Sequence, residues 1–190
     1  MNWRIRKAVR QLHTGGIIAY PTETVYGLGC DPFNGLAVLH LLSLKQRAMA
    51  QGVILIASTL AQLEPLLQPL HATTRKRITR HGPTPVTWVL PCVPETPAWL
   101  RGSHDSLAIR LTSHPLASEL CNAWGRPLVS TSANIHGRPP ATSAIQVRKA
   151  FNNQLDCILY GPLGNNTPSQ IRDGLTGNML GRGPGTQPQE

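Results

Sequence analysis

The sequence predicts a single α/β domain built on a twisted, mixed β-sheet with flanking helices. Three observations support this prediction. The chain has 190 residues, of which 41% are hydrophobic, and this suits one domain with a full core. Short apolar runs of strand length alternate loosely with segments of helical periodicity. No internal repeat or linker divides the sequence, so one domain is predicted over residues 1–190.

The N-terminal part is predicted to form a helix, a strand and a second helix. Apolar residues at helical spacing predict a helix over Ile5–Leu12, which the following glycine pair ends. The run "IIAY" is a predicted strand that stops at Pro21. The segment "LAVLHLLSLKQR" is a predicted helix whose last turn is basic, which suits the negative end of the helix dipole.

The middle of the chain is predicted to add strands and helices. "VILIA" is a continuous apolar run, typical of a strand that is covered on both faces. Ser58 or Thr59 is expected to cap a helix that runs through Leu67, and a further helix is expected over residues 72–80. "VTWVLP" and "SLAIRLT" are strand-like, and "PLASELCNAW" is a predicted helix with Pro at its start.

The C-terminal part begins with "PLVS", a predicted strand that leads directly into "TSAN". Thr142 or Ser143 is expected to cap the helix "AIQVRKAF", and "CILY" is a further predicted strand. From Gly161 the sequence is rich in Gly, Pro and Asn, with short strand candidates at "SQIRDGL" and "NMLGRG". Because strands and helices alternate only loosely, the sheet is expected to be mixed rather than regularly doubly wound.

The charge balance indicates an anionic partner. Eighteen Lys and Arg residues stand against nine Asp and Glu residues, giving a formal net charge of +9. The basic residues are spread along the chain, which favours a folded surface that meets nucleotides, RNA or acidic lipid. No stretch approaches the ~20 apolar residues of a membrane span, and no signal peptide is visible, so a cytoplasmic protein is expected. The four cysteines form no C-x-x-C pair, which argues against a zinc or redox motif.

Polar groups follow strands or helices in four segments, although the familiar nucleotide-binding and hydrolase signatures are missing. Taken singly, each segment has a structural explanation: a capped turn, a solvated helix end, a wet strand face or a helix cap. Taken together, they place cations and neutral donors at strand ends, which is where ligands usually bind in α/β sheets. The segments contain Thr22 to Thr24, Lys45 with Arg47, Ser106 with Arg110, and "STSAN".

These residue types indicate the chemistry of the ligand. Cations and hydroxyls with few acids bind phosphates and a carboxylate through charge and hydrogen bonds. They do not supply the paired carboxylates of acid–base catalysis. The set favours nucleotidyl transfer, in which positioning and charge neutralisation supply most of the catalysis. No residue stands out as a general base, although Glu23 is one possibility.

The same segments resemble the YrdC-like family, and in particular the single-domain bacterial threonylcarbamoyl-AMP synthases of the TsaC type. The similar motifs, in the family's order, are "PTETVYGLG", "KQR" followed by "GVILIA", "PVTWVLP", "SLAIRL" and "STSAN", within about residues 14–182. The resemblance implies a twisted α/β sheet with a basic concave face. It also implies synthesis of threonylcarbamoyl-AMP and pyrophosphate from L-threonine, bicarbonate and ATP, for the t6A modification of adenosine 37 in tRNA.

The resemblance further implies roles for individual residues. Mg²⁺ is expected to accompany ATP, held mainly by phosphates and water rather than by a protein metal site. tRNA and the transferase proteins of the t6A pathway are expected partners. The threonine contacts would fall on Thr24, Arg110, Ser130 and Ser169, and the nucleotide contacts on Lys45, Arg47, Gln51, Ser106, Ser132, Asn134 and Arg182, with Lys45 and Arg47 neutralising charge during catalysis.

Three positions depart from the family pattern, and two other functions stay open. Ala48 stands where relatives usually have Pro, Thr84 occupies a glycine position, and Ile56 stands where some relatives have His. One alternative is a non-catalytic module that binds double-stranded RNA or tRNA. The other is a different carbamoyl transfer, like that of related domains in larger hydrogenase-maturation proteins.

Overall fold

One nine-stranded sheet runs through the part of the chain that the computed structural model describes, residues 2–80, 82, 84–135, 137–164 and 169–182. Its strand order is β7-β1-β2-β6-β3-β5-β4-β8-β9. The pairs β1/β7, β3/β5 and β4/β8 are parallel and the other neighbours are antiparallel, so the predicted mixed sheet is confirmed. The strands are β1 Ile18–Pro21, β2 Tyr26–Gly29, β3 Ile54–Ala57, β4 Val86–Pro91, β5 Ser106–Leu111, β6 Leu128–Ser132, β7 Cys157–Ile158, β8 Gln170–Asp173 and β9 Met179–Arg182.

Helices cover the two faces of the sheet unequally. Side chains of α2, α3, α4 and α6 pack with one face into the larger apolar cluster. Side chains of α1 and α5 pack against part of the other face and form a second, smaller cluster. None of the helices in the described ranges combines the length and apolar character needed to cross a bilayer. The helices are α1 Trp3–His13, α2 Gly35–Lys45, α3 Ala72–Thr79, α4 Ala98–Arg101, α5 Pro115–Trp124 and α6 Ala144–Phe151, with short 3-10 helices at Met49–Gln51, Leu60–Gln62 and Glu64–Leu66.

Strand β6 passes from the core into an open region of the second face. Leu128 is buried in the α5 cluster, whereas Ser130 and Ser132 on the same side of the strand line cavities. On one side β6 pairs with β2, up to the Gly27–Ser132 pair. On the other side its pairing with β3 ends at Ser130, because β3 begins at Ile54. The apolar run and the hydroxyls of "PLVSTS" therefore belong to one strand that leaves the core.

Three expectations about the elements are wrong. The helix expected to run from Ser58 or Thr59 through Leu67 is replaced by two 3-10 turns, because Pro65 supplies no backbone N–H inside that segment. Strand β2 follows Pro21 in a segment for which no strand was predicted, and the four-residue helix α4 was not expected. The strand "CILY" is limited to Cys157–Ile158.

Candidate active site

Two adjoining cavities lie on the open part of the second face of the sheet. The larger cavity has a volume of about 350 Å³ and the smaller cavity one of about 50 Å³. The two cavities share four lining residues, so they meet at the exposed end of β6. The shared residues are Ile54, Ser130, Thr131 and Ser132.

The smaller cavity gathers all of the residues on which threonine contacts are predicted. These residues are Thr24, Arg110, Ser130 and Ser169, and they come from the β1–β2 turn, β5, β6 and the segment before β8. Strand pairing places β5 and β8 on either side of β4, so Arg110 and Ser169 can meet across it. The structure thus brings the predicted group together, while the role of each residue stays a prediction.

Arg110 is held in place by two buried hydroxyls. Its Nε and Nη2 donate to Thr87 Oγ1 at 3.0 and 2.9 Å, and Nη2 also donates to Ser169 Oγ at 2.8 Å. Thr87 and Ser169 are 0% and 4% exposed, so these contacts are shielded from water. Burial lowers the pKa of the Arg110 guanidinium from its ordinary value. The guanidinium is therefore a fixed cation in a poorly solvated pocket, which is the setting in which a carboxylate binds an Arg most strongly.

The carboxylate of Glu23 is bound to neighbouring backbone and side-chain groups, and it does not line the smaller cavity. Its Oε1 accepts hydrogen bonds from Thr112 Oγ1 at 2.7 Å, Ser113 N at 2.9 Å and His114 N at 3.1 Å. Burial raises the pKa of Glu23, but the hydrogen bonds and the charge of Arg110 outweigh burial and leave the pKa below its ordinary value. The carboxylate is ionised and ties the β1–β2 turn to the end of β5.

The larger cavity contains part of the predicted nucleotide-binding set. Arg47, Gln51, Ser106 and Ser132 line it. Arg47 Nη2 donates to Gly52 O at 3.1 Å, whereas Arg47 Nε is buried and has no hydrogen-bond partner among the described residues. A buried N–H of a cation without a partner is costly, and the guanidinium as a whole lines the cavity, where it can meet an anionic group.

Lys45 lies behind the cavities and does not line either of them. Its side chain is 4% exposed, so the alternative of a solvated helix end is wrong for this residue. Its Nζ donates to Ser132 O, to Asn134 O at 2.8 Å and to Asn134 Oδ1 at 3.0 Å. An ammonium has three donors, and these contacts use all three. Burial, and to a lesser extent the charge of Arg47, lowers the pKa of Lys45 to about 8.

Asn134 completes this network and also faces inward. Its Oδ1 accepts a 2.6 Å hydrogen bond from Ser132 Oγ as well as the one from Lys45. Its Nδ2 donates to Ile135 O at 3.2 Å and to Arg138 O at 2.7 Å. Lys45 and Asn134, both expected to contact the nucleotide, thus contact each other and hold the end of β6. The remaining predicted residue, Arg182, pairs with Gln170 through its backbone, and its side chain lies outside the described part of the chain.

The end of α2 explains why Lys45 and Arg47 point to different places. Gln46 caps the helix with left-handed backbone angles, φ 53° and ψ 42°, and Arg47 N donates back to Leu42 O. This reversal leaves Lys45 on the last helical turn, against β6, and sends Arg47 toward the larger cavity.

Further residues around the cavities were not predicted. Thr87 bridges Arg110 and Ser169, and its place on the same side of β4 as the cavity-lining Val89 could have suggested it. Arg101 and His104 line the larger cavity from the unexpected helix α4 and the turn after it. That turn needs Gly102, because a Cβ there would lie 2.3 Å from Ala50 O and φ is +65°.

The departures from the family pattern occupy three different surroundings. Ile56 is 2% exposed and packs in the α5 cluster. Ala48 is exposed beside the 3-10 helix that carries Gln51, and Thr84 lines a separate groove next to α3.

The lining of the cavities favours anionic ligands. Arg47, Arg101 and Arg110 line them, and no Asp or Glu does so among the described residues. The described residues also contain no group of three or more His, Cys, Asp or Glu that could hold a metal ion. Ser106 and Ser132 add neutral hydroxyls to the lining of the larger cavity.

Comparisons with known proteins give a consistent family assignment. The Sua5/YciO/YrdC family model, described as "Telomere recombination", matches residues 10–181. The chain is 53% identical over 180 residues to the threonylcarbamoyl-AMP synthase of Nitrosococcus oceani, covering 94% of this chain and 97% of the relative.

Two solved structures show the same fold. P. abyssi Sua5 complexed with L-threonine superposes with a TM-score of 0.83 at 32% identity, over 90% of this chain and 51% of that chain. The chain therefore spans about half the length of the archaeal protein. E. coli YciO superposes with a TM-score of 0.76 at 26% identity, over 96% of this chain and 90% of that chain.

Proposed function

The chain belongs to the Sua5/YciO/YrdC family, and we propose that it synthesises threonylcarbamoyl-AMP from L-threonine, bicarbonate and ATP. The observation that supports this function most is the pair of adjoining cavities, one around Arg110 and the other around Arg47, that share the end of β6. The cation of the smaller cavity suits the carboxylate of an amino acid, and the cations and hydroxyls of the larger cavity suit the phosphates of a nucleotide. The product is the activated intermediate for t6A modification of tRNA.

The reaction joins the two ligands across β6. The deprotonated amine of threonine adds to bicarbonate-derived CO₂ and gives a carbamate, with loss of water from bicarbonate. A carbamate oxygen then forms a bond to the α-phosphorus of ATP, and the bond to pyrophosphate breaks. Threonine in the smaller cavity would place its amine toward Ser130–Ser132, which also line the space for the α-phosphate. Positioning of this kind converts a bimolecular encounter into a step within one complex.

Individual side chains supply charge and position. Arg110, fixed by Thr87 and Ser169, would bind the threonine carboxylate, and Arg47, which lines the larger cavity, would bind a phosphate oxygen. Mg²⁺, when bound with ATP, would neutralise phosphate charge. Lys45 would act as a positioning residue that holds Ser132 and Asn134, in place of the direct phosphate contact expected from the sequence. tRNA and the transferase proteins of the pathway remain predicted partners.

Pyrophosphate release tests the proposal. The protein is incubated with ATP and Mg²⁺, and threonine and bicarbonate are each added or omitted. Release should require both, and the product should carry the mass of threonylcarbamoyl-AMP. Release from ATP alone at the same rate would overturn the proposed function, and no release under any condition, with tRNA bound, would favour the non-catalytic RNA-binding alternative.

A further inference from the structure

Residues 161–164 pack against the turn between β1 and β2, which contributes Thr22 and Thr24 to the smaller cavity. Gly164 N donates to Thr22 O at 3.1 Å. A Cβ at Gly164 would lie 2.8 Å from Cα and 2.9 Å from O of Glu23, so this close approach of two backbones requires glycine. Residues 161–164 and the turn therefore form one packed unit.

A second contact fixes the start of the same segment. Tyr26 lines the smaller cavity, and its hydroxyl donates to Gly161 O at 3.0 Å and accepts from Gly161 N at 3.3 Å. Ser169, which accepts a hydrogen bond from Arg110, follows Gly164 by five residues. Because five residues have a limited reach, the position of Gly164 restricts where Ser169 can lie.

His114 joins this segment to the elements that follow Arg110 in the chain. The residue is 6% exposed, and its Nδ1 accepts a hydrogen bond from Ala117 N at 3.4 Å, which caps α5. Since Nδ1 accepts, the ring carries its proton on Nε2, which donates to Pro162 O at 3.0 Å. The backbone N–H of His114 donates to Glu23 Oε1 at 3.1 Å. One buried residue therefore contacts α5, the β1–β2 turn and the segment that leads to Ser169.

These contacts concern the smaller cavity and not the larger one. Thr22, Tyr26 and Ser169 line only the smaller cavity, and neither His114 nor residues 161–164 line the larger cavity. A displacement of residues 161–164 should therefore disturb one ligand and spare the other.

We propose that His114 is a positioning residue for the amino-acid substrate. Through Pro162 O it holds residues 161–164 against the β1–β2 turn, and this keeps Thr24 and Ser169 in place around Arg110. The inference rests on the proposed function, because that function assigns the smaller cavity to threonine.

Two substitutions separate the two contacts of the imidazole ring. His114→Asn keeps an acceptor at the place of Nδ1, and Asn is a good helix cap, but its amide is too short to reach Pro162 O. His114→Gln places an amide N–H at the position of Nε2, within reach of Pro162 O, and gives up the cap. Asn2→Ala is the matched control for stability, because it removes the cap of α1, a hydrogen bond from Arg4 N, and lines neither cavity.

The expected result is a separation of the two substrates. His114→Asn should raise the KM for threonine by about three- to tenfold, which is the effect of one lost hydrogen bond. Its KM for ATP and its kcat at saturating threonine should stay within about twofold of the parent. His114→Gln should keep the KM for threonine within about twofold while lowering Tm. Asn2→Ala should lower Tm without changing either KM.

Hydrogen exchange gives a readout that does not depend on activity. The amides of Gly161 and Gly164 donate to Tyr26 Oη and Thr22 O, so their exchange should become faster in His114→Asn and stay close to that of the parent in His114→Gln. Threonine binding is measured by calorimetry on the same proteins.

Three outcomes would overturn this inference. An unchanged KM for threonine in His114→Asn would show that the contact with Pro162 does not position the cavity. Equal increases in the KM values for threonine and ATP would indicate a general disturbance of the site. Equal effects of His114→Asn and His114→Gln on threonine would assign the role to bulk or shape.

Failure of this inference is distinguishable from failure of the proposed function. The proposed function fails if the parent releases no threonine-dependent pyrophosphate, whatever the variants do. The role of His114 fails if the parent and His114→Asn bind threonine equally in calorimetry.

Discussion

Replacing Lys45 by Met should both destabilise the protein and abolish most of its activity. Met keeps much of the length of the side chain and removes the ammonium. The change deletes the hydrogen bonds from Nζ to Ser132 O, Asn134 O and Asn134 Oδ1. Asn134 Oδ1 keeps its bond from Ser132 Oγ, and Ser132 O keeps its bond from Asn134 N, so the carbonyl of Asn134 bears most of the loss.

The size of the effect follows from burial. A buried carbonyl left without a donor costs about 1 to 3 kcal/mol. Burial of the Lys45 ammonium has a desolvation cost, which is also why its pKa is lowered. Lys45→Met removes this cost and so offsets part of the destabilisation. We expect the free energy of unfolding to fall by about 1 to 3 kcal/mol. For a chain of this size that corresponds to a fall in Tm of roughly 2 to 12 °C.

The assay combines thermal unfolding with nucleotide binding, and Arg47→Met is the matched control. Arg47 also carries a positive charge, but it lines the larger cavity and makes one hydrogen bond, to Gly52 O. Arg47→Met should therefore lower the free energy of unfolding by less than about 1.5 kcal/mol while reducing the rate by about 10² to 10³. If Lys45→Met left Tm unchanged and lowered only the rate, Lys45 would contact the phosphates directly and the positioning role would be wrong.

Three further predictions concern the same site. Arg110→Lys should weaken threonine binding by about 2 to 5 kcal/mol in calorimetry while leaving a non-hydrolysable ATP analogue bound, because Lys lacks the fork that Thr87 and Ser169 orient; the reverse pattern would exchange the two cavities. Affinity for the ATP analogue should fall as pH rises through about 8, where Lys45 loses its proton, and Lys45→Met should remove that step. The free energy of unfolding should change in the opposite direction. Because the folded state loses this proton at a lower pH than the unfolded state, the contribution of Lys45 to stability rises with pH between about 8 and 10.5. Glu23→Gln should lower the free energy of unfolding at pH 7, and the difference from the parent should shrink as pH falls below 4.5, because a carboxylate with a lowered pKa stabilises the fold only while it is ionised; a difference independent of pH would show that shape matters and charge does not.

Most of the fold could be predicted where local sequence and tertiary packing agree. The helix Pro115–Trp124 has the residues that were expected, because Pro suits its start and Gly125 adopts the left-handed angles that end it. Strand β2 could not be recognised because "YGLG" contains two glycines and follows a polar turn. Its formation depends on pairing with β1 and β6, which local propensity does not encode.

Many of the residues predicted to bind ligands do line the two cavities, but their arrangement could not be predicted. Strand parity correctly put Ser106 and Arg110 on one face, since alternation is a local property of a strand. The contact between Lys45 and Asn134 joins residues 89 positions apart, and it depends on how α2 ends and where β6 lies. Sequence reasoning predicted that both residues contact the nucleotide and could not show that they hydrogen-bond to each other.

Lys45 and Arg47 have different proposed roles at the end of α2. Lys45 holds the end of β6, and Arg47 lines the larger cavity. Under the proposed function, the carbamate forms at threonine in one cavity and reacts with ATP in the other, so Ser130–Ser132 must stay in place between them. Strand β6 loses its β3 partner beyond Ser130, and ladder hydrogen bonds on that side cannot fix its end. Lys45 supplies the missing restraint from behind, through Ser132 O and Asn134, and Gln46 turns the chain so that Arg47 reaches the cavity in front. An apolar residue at position 45 would leave the end of β6 held by its pairing with β2 alone. Under the proposed function, the buried cation therefore positions the strand end, while the cavity-lining cation meets the nucleotide.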